Sequence, residues 1–234
     1  MLWGMLSPGL LAAQQKPKPT KSKKPAIEIK AKYKKYPCKR DRCVADGHMY
    51  LHDMLGGAPT RDDLMRALEF FQAGCEQGVM EGCIEAGDVI LSDSHFAPFY
   101  EDARRFHSKA CDAGEVKGGI GLARVYAEGE PRDAKKADGL FDKVCKGGDG
   151  EGCWRHADFI IQPHRTTFSE RARGGKKEAA KPLPSEANKA RDKALALYKK
   201  SCSLKNHIGC EVVAIFYYGP EYQMVDLEKS RDYS

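Results

Sequence analysis

The chain has no uninterrupted apolar run long enough to span a bilayer. No serine is followed by a lysine three places on, so the activated-serine nucleophile of that spacing is missing. Its seven histidines form no cluster with aspartates suited to a metallo-enzyme, and no cofactor or metal is expected. No cysteine closely follows the apolar N-terminal segment, which argues against a lipid anchor there. What remains is a 234-residue chain with apolar and charged content normal for a soluble folded protein, and long enough for a core.

Charge is unevenly placed. Residues 16–42 carry twelve Lys or Arg against Glu28 and Asp41, about +10, which exceeds the net +6 of the whole chain and leaves the remainder near −4. A Lys/Pro-rich sequence with almost nothing apolar to bury is expected to stay solvated, and residues 14–37 read as a disordered linker. Only Tyr33 and Tyr36 are aromatic there, and an acidic remainder repels phosphate, so no specific nucleic-acid partner is expected. A weak contact with an acidic surface suits the tail better. Ahead of it, Leu2 to Ala13 has the length and composition of a signal-peptide hydrophobic region, so residues 1–13 are read as that segment and export is expected.

Nine cysteines stand at 38, 43, 75, 83, 111, 145, 153, 202 and 210, and three pairs share one separation of eight: Cys75/Cys83, Cys145/Cys153 and Cys202/Cys210. Aligning the chain on the first member of each pair, with Cys111 joining them, stacks Ala67, Ala103, Ala137 and Ala194 eight places upstream. Phe71, His107, Phe141 and Tyr198 stack four upstream, so small and aromatic residues share one helical face. Three places after the cysteine come Gly78, Gly114, Gly148 and, in the last copy, Lys205-Asn206, where a helix C-cap reverses the chain. A second helix then opens at Gly82, Gly118, Gly152 and Gly209, carrying Gly87, Ala123, Ala157 and Ala214 on its packed face. Cys43, Gly47 and Tyr50 repeat that second helix earlier, and Thr60-x-x-Asp63 is a capping box before Ala67. Residues 38–234 therefore read as an all-α solenoid of two-helix hairpins, four of them complete. The segment 162–189, polar and marked by Pro and Gly, reads as an inserted projecting loop, and Leu227 to Tyr233 as the start of a further, terminal repeat.

The motif Ala-x(2)-Phe-Phe-x(3)-Cys-x(2)-Gly-x(4)-Cys, whole at 67–83, resembles the Sel1-like repeat family, in particular its cysteine-rich branch of tetratricopeptide-like hairpins. The resemblance implies a disulfide joining the end of each hairpin's first helix to the start of its second, hence Cys75 with Cys83, Cys145 with Cys153 and Cys202 with Cys210. Across such an antiparallel hairpin the two positions lie close enough to bond. The rival use of the cysteines is a zinc site, although structural zinc sites favour pairs two to four apart. Cys111 departs from the pattern, since it faces Gly119, and is expected to be a free, buried thiol; Cys38 and Cys43, five apart, could pair. An oxidising compartment follows, periplasmic or extracellular, with the mitochondrial intermembrane space as the alternative.

Function has two readings at this level. Stacked hairpins curve and present a concave surface suited to a protein or peptide ligand, for which the polar first-helix positions Glu69, Arg104, Arg105, Lys109 and Lys143 are candidates. The resemblance also implies the alternative of β-lactam binding or hydrolysis, since some members carry a β-lactamase label. His48 and His52, four apart, share a helical face, but without a third ligand nearby they read as surface histidines, and His107 as a core substitution in the aromatic column.

Overall fold

A computed structural model of the chain describes residues 38–51, 58–93, 96, 99–129, 131–174, 177, 181–219, 222 and 232–233. The expected signal segment, the Lys-rich linker, His52 and most of the terminal partial repeat lie outside the described residues. The helices run in chain order as α1 (Asp41–Leu51), α2 (Arg61–Glu76), α3 (Met80–Ser92), α4 (Tyr100–Asp112), α5 (Val116–Glu128), α6 (Ala134–Lys146) and α7 (Gly150–Ile161). A 3-10 turn (Gln162–His164) leads into α8 (Arg165–Arg173), and α9 (Ser185–Ser203) and α10 (His207–Tyr218) complete the stack. The fold is an all-α solenoid. Its complete hairpins are α2/α3, α4/α5, α6/α7 and α9/α10; the first helix of each is called A and the second B, with α1 a B helix lacking its A partner among the described residues.

Local chemistry sets the ends of these helices. Thr60 opens α2 by accepting from the Asp63 N–H at 3.3 Å, while the Asp63 carboxylate accepts from the Thr60 N–H at 3.0 Å. The Thr60 hydroxyl and the Thr60 N–H both donate to the Asp63 carboxylate, which favours the ionised acid and holds Asp63 below the usual carboxylate range. Each A helix ends on a left-handed residue: Gly78, Gly114 and Gly148 lie at φ 85°, 90° and 91°, and Lys205 fills the same place at φ 64°. Gly78 donates to the Cys75 carbonyl at 3.1 Å and Val79 to the Gly74 carbonyl at 3.0 Å, the paired bonds of a Schellman turn. Asn206 is not the reversing residue of the last copy; its side chain instead caps α10, accepting from Gly209 N–H at 3.1 Å.

The two helices of a hairpin approach so closely that only glycine fits at the first turn of B. A methyl group at Gly82 would stand 2.7 Å from the Phe71 carbonyl oxygen, and one at Gly118 would stand 2.6 Å from the Cys111 amide nitrogen. Disulfides then join Cys75 to Cys83, Cys145 to Cys153 and Cys202 to Cys210 across the same crossing, with Cα atoms 4.4–4.6 Å apart. Cys38 bonds Cys43 at the start of α1, and Gln77 ties that segment to α2: its side-chain oxygen accepts from Arg40 N–H at 2.9 Å and its amide donates to Ala73.

Between repeats, the aromatic column of the A helices seats on the small residues of the preceding B helix. Phe71 occupies the space a side chain at Gly47 would need, and His107 that of Gly87. Phe71, His107, Phe141 and Tyr198 are all buried. Lys109 donates to the Cys75 carbonyl of the repeat before it at 2.5 Å, and Lys200 to the Cys145 carbonyl at 2.9 Å, so one repeat position links neighbouring units by a charge-assisted bond. The core is consequently distributed along the stack in three successive clusters of buried residues.

Part of the segment expected to project as a loop is folded against the stack. Helix α8 buries Phe168, and Leu183 further along is buried in the same cluster with Ala187, Tyr198 and Phe216. The Phe168 ring lies 4.9 Å from that of Tyr222, which stacks on Phe216 at 4.1 Å. Arg171 donates to the Lys181 carbonyl at 2.7 Å, closing the excursion. Polar composition concealed this, because two apolar residues in a charged segment were enough to anchor it.

Candidate functional site

Consecutive B helices touch one another along the stack, α1 with α3, α3 with α5, α5 with α7 and α7 with α10, whereas consecutive A helices sit farther apart. Curvature therefore places the B helices on the inner side. The A-helix positions named as candidates from sequence therefore belong to the other layer. Lys109 is engaged in the inter-repeat bond, and Arg104 lies over the Tyr126 ring at 5.2 Å while pairing with Glu101. Arg105 pairs with Asp102 at 3.0 Å within its own helix.

The B helices α3, α5 and α7, with Phe141 of α6 and Arg132, line a cleft in two adjoining parts that share Arg124 and Arg155. One part, about 370 Å³, is lined by Arg124, Glu128, Arg132, Arg155 and Asp158 together with the rings of Phe141 and Phe159. The other part, about 150 Å³, extends toward the N-terminus past Glu85, Asp88 and Lys117. Arg124 donates to Asp88 at 3.0 Å, and Arg155 pairs with Glu151 at 3.3 Å while covering the Trp154 ring at 4.0 Å. These contacts hold the guanidinium groups along the cleft. Partial burial pushes the Glu85 and Asp88 carboxyls above their ordinary range, with Arg124 opposing the shift at Asp88. Phe141 and Phe159, with centroids 5.6 Å apart, give the charged cleft an apolar floor.

Two histidines are buried within the stack. His107 is fully buried between α3 and α5, its flat ring filling space that methyl groups at Gly87 and Gly121 would need. Burial, reinforced by Arg124, lowers its pKa from 6.5 to about 4. Asp88 lies 3.9 Å from Nε2, too far for a hydrogen bond. His156 is also buried and meets Asp138 at 2.8 Å. The core role expected for His107 matches its position. Cys111 is the one free cysteine and is half-buried, where a fully buried thiol was expected, because Gly119 opposite contributes no side chain to cover it.

No family profile and no curated protein matches the chain. Among solved structures it is similar to the Sel1 repeat protein from Oxalobacter formigenes, with a TM-score of 0.52 and 18% identity over 82% of this chain and 67% of that one. It is also aligned, at a TM-score of 0.39 and 18% identity, with c5321, a protective antigen of uropathogenic Escherichia coli displaying an SLR fold; that alignment covers 88% of this chain and 46% of the antigen. The likeness to the Oxalobacter protein gives the chain the fold of a Sel1 repeat solenoid. At this identity the likeness establishes the fold alone.

Proposed function

We propose that the chain is an exported scaffold that holds a protein or peptide segment in the groove of its B helices. The observation that carries this reading is the cleft around Arg124 and Arg155, in which three guanidinium groups stand beside two phenyl rings. Such a lining favours a segment presenting a carboxylate next to an apolar side chain, since arginine forks carboxylates and aromatic faces accept hydrocarbon. Four disulfides support an oxidising compartment, and among the described residues no helix is long and apolar enough to cross a membrane. The β-lactam alternative draws no support from the cleft, whose lining side chains include no serine or cysteine.

The test is a pull-down from the exported fraction with the oxidised chain, beside an Arg124→Glu/Arg155→Glu variant and a chain lacking residues 14–37. A specific partner is expected to be retained by the wild type and by the tail-deleted chain. The charge-reversed variant is expected to lose it by roughly thirtyfold or more, the scale of about 2 kcal/mol at which an arginine contact acts as a hot spot. Retention that is indifferent to both substitutions, or that disappears with the tail, would place the binding surface elsewhere.

A further inference from the structure

We propose that His48, Glu81 and Glu85 form a binding site for a divalent transition-metal ion of the zinc type. The three side chains come from two neighbouring B helices, His48 from α1 and Glu81 and Glu85 from α3, and one ligand atom of each lies within 4.8 Å of the other two. Glu81 and Glu85 stand four residues apart, so one face of α3 presents both carboxylates to the same point. The His48 ring is oriented from below by an edge-on contact with Phe71, 5.1 Å between centroids. Glu81 is exposed and the other two are half-buried, which leaves the site open to the groove.

The donor set selects the metal. One imidazole with two carboxylates suits Zn²⁺, Co²⁺ or Ni²⁺, whereas Ca²⁺ and Mg²⁺ take oxygen donors almost exclusively. An ion bound through these three residues keeps at least one coordination position for water or for a ligand carboxylate. It also relieves the local crowding of negative charge, since Glu81, Glu85 and Asp88 lie on one helix face, with Lys117 and the Asp88-bound Arg124 as nearby cations. The pairing of His48 with His52 in the sequence does not reveal this site, because the other two ligands come from the next repeat, 33 and 37 positions downstream of His48.

The experiment uses the full, oxidised, untagged chain, stripped with chelator and titrated with Zn²⁺ by calorimetry, with Co²⁺ absorption as a spectroscopic reporter. One equivalent of Zn²⁺ is expected to bind, with a Co²⁺ visible band of low-symmetry intensity. His48→Asn and Glu85→Gln are each expected to weaken binding roughly tenfold or more, because each removes a direct ligand. Glu81→Gln, at an exposed position, supplies the variant least able to disturb folding, and far-ultraviolet circular dichroism checks all three. Absence of stoichiometric binding, or binding left unchanged by His48→Asn and Glu81→Gln, would overturn the proposal; the latter result would identify an adventitious ion only.

Discussion

Lowering the pH from 7 to 4 is expected to destabilise the folded chain by about 3 kcal/mol through His107 alone. The ring is fully buried, and its pKa falls from 6.5 to about 4 through desolvation first and Arg124 second. An unfolded chain takes up the proton near pH 6.5, while the folded one resists until about pH 4, so the unfolded state binds more protons across that window. Stability is therefore complete above the unfolded pKa and is lost as pH falls from about 6.5 toward 4. At about 1.4 kcal/mol per pKa unit the loss reaches about 3 kcal/mol at the acid end. Glu85 and Asp88 act in the opposite sense, since their raised carboxyls accept protons more readily in the folded state. His107→Phe isolates the effect: phenylalanine holds the same column position at Phe71 and Phe141, and Phe71 already packs against a glycine of the preceding B helix. Urea denaturation from pH 4 to 7 should show the slope in the wild type and its loss in the variant. An unchanged slope would remove His107 as its cause.

Gly119→Cys is expected to form a fifth disulfide with Cys111 and to stabilise the chain by about 2 to 3 kcal/mol, the chain-entropy value for a loop this short. A side-chain carbon at Gly119 would stand 3.7 Å from the Cys111 sulfur, and 3.1 Å from a Val144 methyl that must give slightly. The A–B crossing at this hairpin resembles the bonded ones, with Gly118 in the place of Gly82. In the wild type, α4/α5 is accordingly the complete hairpin without a staple, and its amides should exchange fastest among the four. Thermal denaturation with and without reductant separates the bridge from the residue change. If both thiols of the variant alkylate under oxidising isolation, the alignment of Cys111 with Cys75, Cys145 and Cys202 is wrong.

The repeat register was legible because it rests on close approach, which leaves few residue choices. Glycine at positions 82, 118, 152 and 209, alanine at 67, 103, 137 and 194, and a left-handed residue after each A helix are all steric requirements that recur at fixed spacing. The inner surface was not legible, because which layer curves inward depends on how successive B helices settle against each other and not on any residue alone. For the same reason the partners of His48 and the Lys109 and Lys200 bonds to preceding cysteine carbonyls escaped the sequence: each joins residues more than thirty positions apart. Folding of part of the insertion turned on Phe168 and Leu183, too few apolar residues to make a periodic signal.

The central claim, a stack whose cysteines bond within repeats and leave one hairpin open, is tested most directly by differential alkylation and peptide mapping of the natively isolated protein. Disulfide-linked peptides are expected for Cys38 with Cys43, Cys75 with Cys83, Cys145 with Cys153 and Cys202 with Cys210, and alkylation without reductant only at Cys111. Free thiols at the eight-spaced pairs, or bridges that cross from one repeat to another, would contradict it.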